Sequence, residues 1–326
     1  MLGPPLELPS PLGLPPVPAT NNPPTAPAVA LGKALFFDKR LSRDGTTACA
    51  NCHDPAKGFA DGRRVSRGVA GRLGRRNAPT VRNAVFSRFQ FWDGRAADLE
   101  EQALGPLLNE AEMAHSAAGI VARCEQDPEL RRAFVAAFGE FPGRSPVTIK
   151  RVVAALGAYE RTLQRGNSPF DRFYYGGDEA ALTPAARRGW EIFRQAQKGN
   201  CIACHLVGER SALFTDHQFH NLGVGMNVEG ELTDRGRYEV TGREGDRGAF
   251  RTPSLRDVAE TAPYMHDGSL RTLKEVVDFY VGGGNGNPQL DPLIRPLTNL
   301  TRQERGDLVA FLEALTGVDP GQAAER

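Results

Sequence analysis

Apolar residues recur three and four positions apart in several segments of this 326-residue chain. This spacing gives a helix one apolar face that can pack against a protein core. The pattern is clearest over residues 97–108, 129–138, 146–164 and 302–315. No segment alternates apolar and polar residues over a length that would make a convincing strand. The pattern therefore predicts a mainly α fold whose helices are joined by long loops.

Two further amphipathic segments are alike and indicate an internal repeat. Residues 32–37 are Gly-Lys-Ala-Leu-Phe-Phe, residues 189–193 are Gly-Trp-Glu-Ile-Phe, and each segment precedes a pair of cysteines. A Gly-Asn-Ser-Pro turn signal at 166–169 lies between the two halves. We therefore predict two domains, residues 29–165 and residues 166–326.

The first 28 residues are rich in Pro and Ala and contain almost no charge. Such a stretch buries too little apolar surface to fold alone, so we predict a flexible, partly polyproline lead-in. It lacks the basic segment and continuous apolar core of a signal peptide. We expect that an export signal has been removed.

The balance of charge argues against two classes of partner. The chain has 40 Lys and Arg residues against 39 Asp and Glu residues. This balance gives no broad basic surface for nucleic acid or for an anionic membrane. No apolar run reaches the roughly 18 residues that a membrane-spanning helix needs, so we expect no membrane span.

Four of the five cysteines belong to two copies of the motif Cys-x-x-Cys-His. In haem c, the two thiols add to the vinyl groups of one porphyrin and the adjacent His ligates the iron. A single copy would also suit half a zinc site or a redox dithiol. A zinc site leaves both His residues unexplained, and no βαβ pattern supports a redox dithiol. The sequence predicts two covalently bound haem c groups, held by Cys49, Cys52, His53, Cys201, Cys204 and His205.

Several longer segments add a resemblance that covers residues 30–315. They are Leu31-Gly32-Lys33, Phe36-Phe37-Asp38, Arg76-Asn77-Ala78-Pro79-Thr80, Phe91-Trp92-Asp93-Gly94-Arg95, Thr252-Pro253-Ser254-Leu255-Arg256 and Ala262-Pro263-Tyr264-Met265-His266-Asp267-Gly268. With these segments the chain resembles the bacterial di-haem cytochrome c peroxidases, within them the MauG-like and MbnH-like branch. The resemblance implies two cytochrome c-like haem domains. The N-terminal haem would meet hydrogen peroxide, the C-terminal haem would transfer electrons, and the protein would be periplasmic.

The resemblance also assigns catalytic residues. Trp92 matches a tryptophan that lies between the two haems, and Glu112 matches the glutamate of the peroxide pocket. That glutamate performs general acid–base work on peroxide, with Gln102 and Pro106 as its neighbours. By itself the sequence would favour a buried anchor aromatic for Trp92 and a solvated surface residue for Glu112.

A calcium site between the domains is implied as well. Asn77, Thr261 and Pro263 match its ligands in the family. One side-chain amide oxygen, two backbone carbonyls and water suit a hard cation such as Ca²⁺. Asn77 could equally cap a turn.

Two positions depart from peroxidases that need reductive activation. In those enzymes a His after the first motif blocks the active iron, whereas Val69 stands at this position and residues 54–101 contain no His. We therefore expect a five-coordinate N-terminal haem that is open to peroxide in the ferric state. At the C-terminal haem, Tyr280 replaces the usual Met ligand and is the implied sixth ligand, with Met226 and Met265 as rivals.

An anionic Tyr ligand favours oxidised iron, so the C-terminal haem would be suited to hold an oxidising equivalent. The resemblance then implies a MauG-like enzyme that oxidises Trp residues of a partner protein through a high-valent di-haem state. The alternative is a peroxidase that reduces H₂O₂ to water with electrons from a small cytochrome or copper protein. A third possibility is an electron carrier without catalysis.

The sequence does not determine the route by which oxidising equivalents leave the protein. The MauG tryptophan two residues before the second motif is Gly199 here, so exit needs another aromatic residue, such as Trp190 or a surface Tyr. Cys124 is expected to be a core residue. We expect structural roles for His217 and His220, although contact with a haem propionate or axial ligation is also open.

Overall fold

The computed structural model describes residues 3–319, and these residues form the mainly α fold that the pattern predicts. The only strands among the described residues are β1 (Phe219–Asn221) and β2 (Ala249–Arg251), which pair antiparallel with Phe219 opposite Arg251. The helices are α1 (Ala26–Phe36), α2 (Cys49–Cys52), α3 (Leu99–Leu108), α4 (Ala117–Gln126), α5 (Pro128–Phe138), α6 (Ile149–Glu160), α7 (Pro169–Tyr174), α8 (Pro184–Arg194), α9 (Tyr238–Thr241), α10 (Leu273–Gly282) and α11 (Arg302–Glu313).

Side-chain caps set the starts of the helices and explain why α3 and α6 begin a few residues after their predicted starts at 97 and 146. Asp98 accepts a hydrogen bond from the Glu101 N–H, so α3 begins at Leu99. Thr148 and Thr301 cap α6 and α11 in the same way. Capping satisfies backbone N–H groups that have no partner inside the helix, and it fixes where the helix begins.

The internal repeat appears as two pairs of crossing helices, α1 with α6 and α8 with α11. A Cβ atom added to Gly32 would lie 1.8 Å from the Ala155 carbonyl oxygen. A Cβ atom added to Gly189 would lie 1.9 Å from the Asp307 carbonyl oxygen. Each helix pair therefore needs a glycine where the two backbones touch. This explains why both amphipathic segments begin with Gly.

Each half of the chain builds its own hydrophobic core. The first core contains side chains from Ala28 to Tyr159, including Leu35, Phe36 and Phe134, which are fully buried. The second core contains side chains from Phe170 to Leu315. Within residues 3–319, no helix is both long enough and apolar enough to cross a membrane.

The Pro-rich lead-in differs from the flexible segment that its composition predicts. Leu14 is buried, and the Gly13 carbonyl accepts hydrogen bonds from the Arg256 side chain and the Ala212 N–H. Helix α1 also begins at Ala26, inside the predicted lead-in. Composition shows only that the segment cannot fold alone. The segment uses the core and the buried hydrogen-bond donors of the rest of the protein instead.

Asn22 should make a measurable contribution to the attachment of this lead-in. Its side-chain amide donates to Glu100 Oε1 and to the Ala154 carbonyl, both at 3.0 Å. We expect Asn22→Ala to lower the free energy of unfolding by about 1–3 kcal/mol, because partly buried acceptors lose their donor. Denaturant titration measures the change, and the exposed neighbour Asn21→Ala is the matched control. Equal unfolding midpoints for the two variants would contradict this role.

Partly buried ion pairs join the two halves. Arg76 forms a two-pronged pair with Asp234, with N–O distances of 2.7 and 2.8 Å. Although burial opposes it, the Arg76 guanidinium and the Gly236 N–H lower the pKa of Asp234 to about 2. A second pair joins Arg165 to Glu260 at 2.7 Å. These pairs fix the relative position of the two halves.

Candidate functional site

The first Cys-x-x-Cys-His motif forms the short helix α2 and the residue after it. His53 Nδ1 lies 3.2 Å from the Phe59 carbonyl oxygen, and the His53 ring centroid lies 6.5 Å from that of Phe36. Burial lowers the pKa of His53, so the imidazole is neutral. A neutral ring held through Nδ1 offers Nε2 as a ligand atom.

The second motif repeats this arrangement. His205 Nδ1 lies 2.8 Å from the Phe214 carbonyl oxygen, and burial lowers the pKa of His205. A cavity of about 260 Å³ lies beside it, with apolar walls from helix α10 and from the loops that follow the motif. Cys201, Cys204 and His205 all line this cavity. A flat, apolar group with a covalent link to the motif suits this space.

The thiols themselves argue against a redox dithiol. Burial raises the pKa of Cys49 and of Cys201 to about 12, and that of Cys52 to about 11. A redox dithiol needs a lowered pKa, because the thiolate is the reactive form. The two motifs also lie in separate halves, so they do not meet around one zinc ion. The donor set of two free thiols and one neutral imidazole at each motif fits haem c.

Arg251 supplies a further test of this fit, and the sequence interpretation missed it. Its side chain lines the cavity and is 8% exposed, yet it pairs with no carboxylate among residues 3–319. The N–H groups of its guanidinium donate only to the Phe91 and Thr252 carbonyls, both at 3.4 Å. Burial lowers the pKa of Arg251 to about 10. A buried guanidinium without a counter-ion fits an anionic group such as a haem propionate.

Tyr280 lies on α10 and lines the cavity of the second motif. Burial and the nearby Cys201 and Cys204 thiols raise the pKa of Tyr280. Within the described part of the chain, its hydroxyl makes no hydrogen bond. Of the two rival ligands, Met265 also lines the cavity, whereas Met226 is not among the residues that line it.

Glu112 lies on the turn that follows α3, close to the first motif. Asn109 Nδ2 donates to Glu112 Oε1 at 2.7 Å, and burial raises the pKa of Glu112. Burial raises the pKa of Cys52 most, and the negative charges of Asp61 and Glu112 raise it further. Its neighbour Glu110 is exposed and pairs with arginines at the surface. Glu112 is therefore a half-buried carboxyl beside the motif.

The other predicted pocket residues surround this turn. Gln102 is half-buried on α3, and the Pro106 carbonyl accepts a hydrogen bond from the Met113 N–H at 3.1 Å. Val69 is 2% exposed, and its N–H donates to the Glu112 carbonyl at 2.8 Å. The loop that contains Val69 thus packs directly against the backbone of Glu112.

Trp92 connects the two halves at the edge of the cavity. Its indole N–H donates to the Asn77 carbonyl at 2.9 Å, and its own carbonyl accepts from the Arg251 N–H at 2.8 Å. Asn77, Thr261 and Pro263, the three predicted calcium residues, line the same cavity. Asn77 Nδ2 donates to the Arg63 carbonyl, which leaves the amide oxygen available to a cation.

The two remaining histidine candidates, His217 and His220, differ in their contacts. His220 lies between Asp291 and Asp216, with N–O distances of 2.6 and 2.9 Å. The Cys204 thiol and these two carboxylates raise the pKa of His220 to about 10. Both ring nitrogens of His220 are therefore engaged. His217 is partly buried, and burial lowers its pKa.

Cys124 is 1% exposed and belongs to the first core, as predicted.

The chain is similar to proteins of known family over nearly its whole length. The sequence profile of the di-haem cytochrome c peroxidases matches residues 26–180, and the cytochrome c profile matches residues 186–316. The methylamine utilization protein MauG of Methylorubrum extorquens is 43% identical over 90% of this chain and 79% of its own length. The cytochrome-c peroxidase IdrP1 of Denitromonas iodatirespirans is 41% identical over 95% and 87%.

Comparison with solved structures gives the same family. The crystal structure of a MauG-like protein associated with microbial copper homeostasis has a TM-score of 0.83 and 35% identity, and the match covers 95% of this chain and 98% of that protein. Similarity to a MauG and to a peroxidase is nearly equal, so the choice between their activities depends on individual side chains.

Proposed function

Because this chain belongs to the di-haem cytochrome c peroxidase family, we propose that it reacts with hydrogen peroxide in its oxidised resting state and then oxidises Trp residues of a partner protein. It is an oxidoreductase, as its relatives are. In this proposal the protein works in the periplasm, where haem c is attached in bacteria.

The residues of the two motifs would hold the two haem c groups. Cys49, Cys52 and His53 would hold the N-terminal group, and Cys201, Cys204 and His205 the C-terminal one. Tyr280 would complete the ligands of the C-terminal iron. When bound, haem supplies the redox chemistry with peroxide.

Glu112 would act as the general acid–base group for peroxide at the N-terminal haem site. A carboxyl with a raised pKa can take a proton from one peroxide oxygen and return it to the other. Asn109 orients this carboxyl through its hydrogen bond. Trp92 would lie on the electron path between the two haems, since it lines the C-terminal cavity and bonds to Asn77 of the N-terminal half.

Val69 is the observation that favours this function over reductive activation. The loop position that would supply a blocking imidazole has an aliphatic side chain, and that side chain is buried against the Glu112 segment. The other His of the N-terminal half, His115, lies outside this loop, on the segment between α3 and α4. No group from this loop would need to leave the iron before peroxide binds.

Rapid mixing of the diferric protein with one equivalent of H₂O₂ tests the proposal. We expect the optical and EPR signals of both haems to change together without prior reduction, because the N-terminal site is open and Tyr280 stabilises the oxidised state of the C-terminal site. A matched sample with one haem reduced beforehand should react no faster. Reaction only in the reduced sample would contradict the proposal.

A peroxidase that takes electrons from a small cytochrome or copper protein is the second possibility. Met265 favours it, since this residue lines the C-terminal cavity and could supply a thioether ligand. A Met ligand favours reduced iron and a high potential. Such a protein would reduce peroxide catalytically with a donor protein, and its spectrum would not depend on Tyr280.

The proposed calcium site should stabilise the junction between the two halves. At a free Ca²⁺ concentration 100-fold above the dissociation constant, bound Ca²⁺ should raise the free energy of unfolding by about 2.7 kcal/mol. Unfolding of chelator-treated protein with and without added Ca²⁺ measures this effect. In Asn77→Ala, which lacks the amide oxygen, added Ca²⁺ should have little effect. Identical unfolding curves for the native chain in both conditions would remove calcium from the proposal.

A further inference from the structure

A continuous stack of aromatic rings connects the C-terminal cavity to the surface. Phe193, on α8, lines the cavity, and its ring centroid lies 6.0 Å from that of Trp190. The Trp190 centroid lies 5.6 Å from that of Tyr174 at the end of α7. Trp190 is 6% exposed, whereas Tyr174 is 44% exposed. The stack therefore begins at the haem site and ends in solvent.

The chemistry of these rings suits the movement of single electrons. Indole and phenol are the two side chains that lose an electron most readily among the aromatics, and Phe193 serves only as the packed wall between the cavity and Trp190. Trp190 is one of two tryptophans in the chain, and the other, Trp92, belongs to the N-terminal half and lines the cavity itself. Gly199, two residues before the second motif, offers no ring for a shorter route.

The fold also holds the stack rigidly. Phe170 packs edge-on against Trp190 at 5.1 Å and lies parallel to Tyr174 at 5.2 Å. Phe311 lies 5.5 Å from Trp190 on the opposite helix. Phe170 and Phe311 are fully buried. Because this packing limits ring motion, the distances between Trp190 and Tyr174 are fixed in advance.

We propose that Trp190 and Tyr174 form the route by which oxidising equivalents leave the C-terminal haem site, with Tyr174 as the point of contact for the partner. This inference rests on the proposed function. Trp190 gives one electron to the oxidised haem site and takes one from Tyr174. The Tyr174 phenol releases its proton to solvent, and an aromatic side chain of the partner then restores its electron and proton. Two such transfers, with two protons, complete the reduction of one H₂O₂ to two H₂O.

In this route Tyr174 is the ring that an electron-rich aromatic residue of the partner would contact. Tyr175 lies beside it, with a ring centroid 5.0 Å from that of Tyr174, and donates its hydroxyl hydrogen to the Gly208 carbonyl. This bond leaves Tyr174 as the phenol of the pair that faces solvent. A partner residue that touches Tyr174 would be oxidised without reaching either haem.

Freeze-quenched EPR of the haem-loaded protein after one equivalent of H₂O₂ tests the route, together with peptide mass spectrometry of the oxidised protein. Tyr174→Phe keeps the ring packing but removes the phenol, and Trp190→Phe removes the indole. Tyr238→Phe is the matched control, since Tyr238 lies outside the stack. We expect Tyr174→Phe to lose the tyrosyl radical signal and the oxidised peptide that contains residue 174, with an unchanged initial reaction with peroxide. In Trp190→Phe both signals should be lost, and the oxidised state should persist longer.

The outcomes separate the route from the proposed function. If the unaltered protein does not react with peroxide, the proposed function and the route are both wrong. If it reacts, but Tyr174→Phe, Trp190→Phe and Tyr238→Phe all retain the radical signal and its rate of decay, only the route is wrong. Since Tyr174 is at the surface, its variant should fold normally, so this result would be decisive even if Trp190→Phe were unstable.

Discussion

Replacing Glu112 by Gln should slow the reaction of the diferric protein with hydrogen peroxide by about 10²–10⁴-fold, the usual contribution of a general acid–base group. The substituted amide would keep the size of the side chain and a hydrogen bond with Asn109, but it could neither accept nor return a proton at the peroxide. The measurement is the second-order rate constant from stopped-flow mixing. The haem spectra of the resting protein should stay the same, because Glu112 is not among the proposed ligands.

The chain offers a close control two residues away. Glu110 has an exposed side chain that pairs with Arg43 and Arg72 at 3.3 and 3.6 Å. Glu110→Gln should leave the rate constant nearly unchanged, because exposed pairs contribute little and lie in solvent. An equal rate for Glu112→Gln and the unaltered protein would remove the acid–base role. Equal slowing in both variants would point to a change in the α3 turn instead.

Replacing Tyr280 by Met should raise the reduction potential of the C-terminal haem and change its resting spectrum. Axial ligands and their surroundings set haem potentials over about 0.8 V, so we expect a rise on the order of a few hundred millivolts. The physical reason is that a phenolate favours oxidised iron, whereas a neutral thioether favours reduced iron. Redox titration followed optically measures the change in potential. After reaction with H₂O₂, the oxidised state of the variant should be shorter-lived than that of the unaltered protein.

Two further variants make this prediction specific. Tyr280→Phe removes the oxygen without offering a new ligand, so it should alter the spectrum differently from Tyr280→Met. Tyr264→Phe is the control in the same cavity, because the Tyr264 hydroxyl already donates to the Val258 carbonyl. An unchanged potential and spectrum in Tyr280→Met would show that Tyr280 is a core residue and not a ligand.

Local features of the chain were predicted well, because their causes lie within a few residues. The helices around residues 97–108, 129–138 and 302–315 follow from apolar periodicity, and each observed end lies within two residues of the predicted one; Asp98, for example, caps the first of them so that it begins at Leu99. The Cys-x-x-Cys-His motifs are local as well, since attachment and ligation use residues within one helical turn.

The Pro-rich lead-in differs from its predicted structure because its contacts lie far away in the sequence. Its composition correctly indicates a segment without a core of its own, but the Gly13 carbonyl accepts hydrogen bonds from the Ala212 N–H and the Arg256 side chain, which lie in the second half of the chain. The contact depends on Arg256, whose side chain also forms a fully buried pair with Asp171. No local pattern in the first 28 residues predicts a donor so distant in sequence.

The sequence by itself determined the helical class, the two Cys-x-x-Cys-His motifs and the presence of Val69 where the family resemblance implies a blocking His. These depend on periodicity, spacing and residue identity, which are properties of short segments. Only the tertiary structure decided that Glu112 is a half-buried carboxyl, that Arg251 is a buried cation without a counter-ion among residues 3–319 and that Trp190 meets Tyr174. Burial, electrostatic partnership and ring stacking arise when distant segments pack together, so no short segment of the chain reveals them.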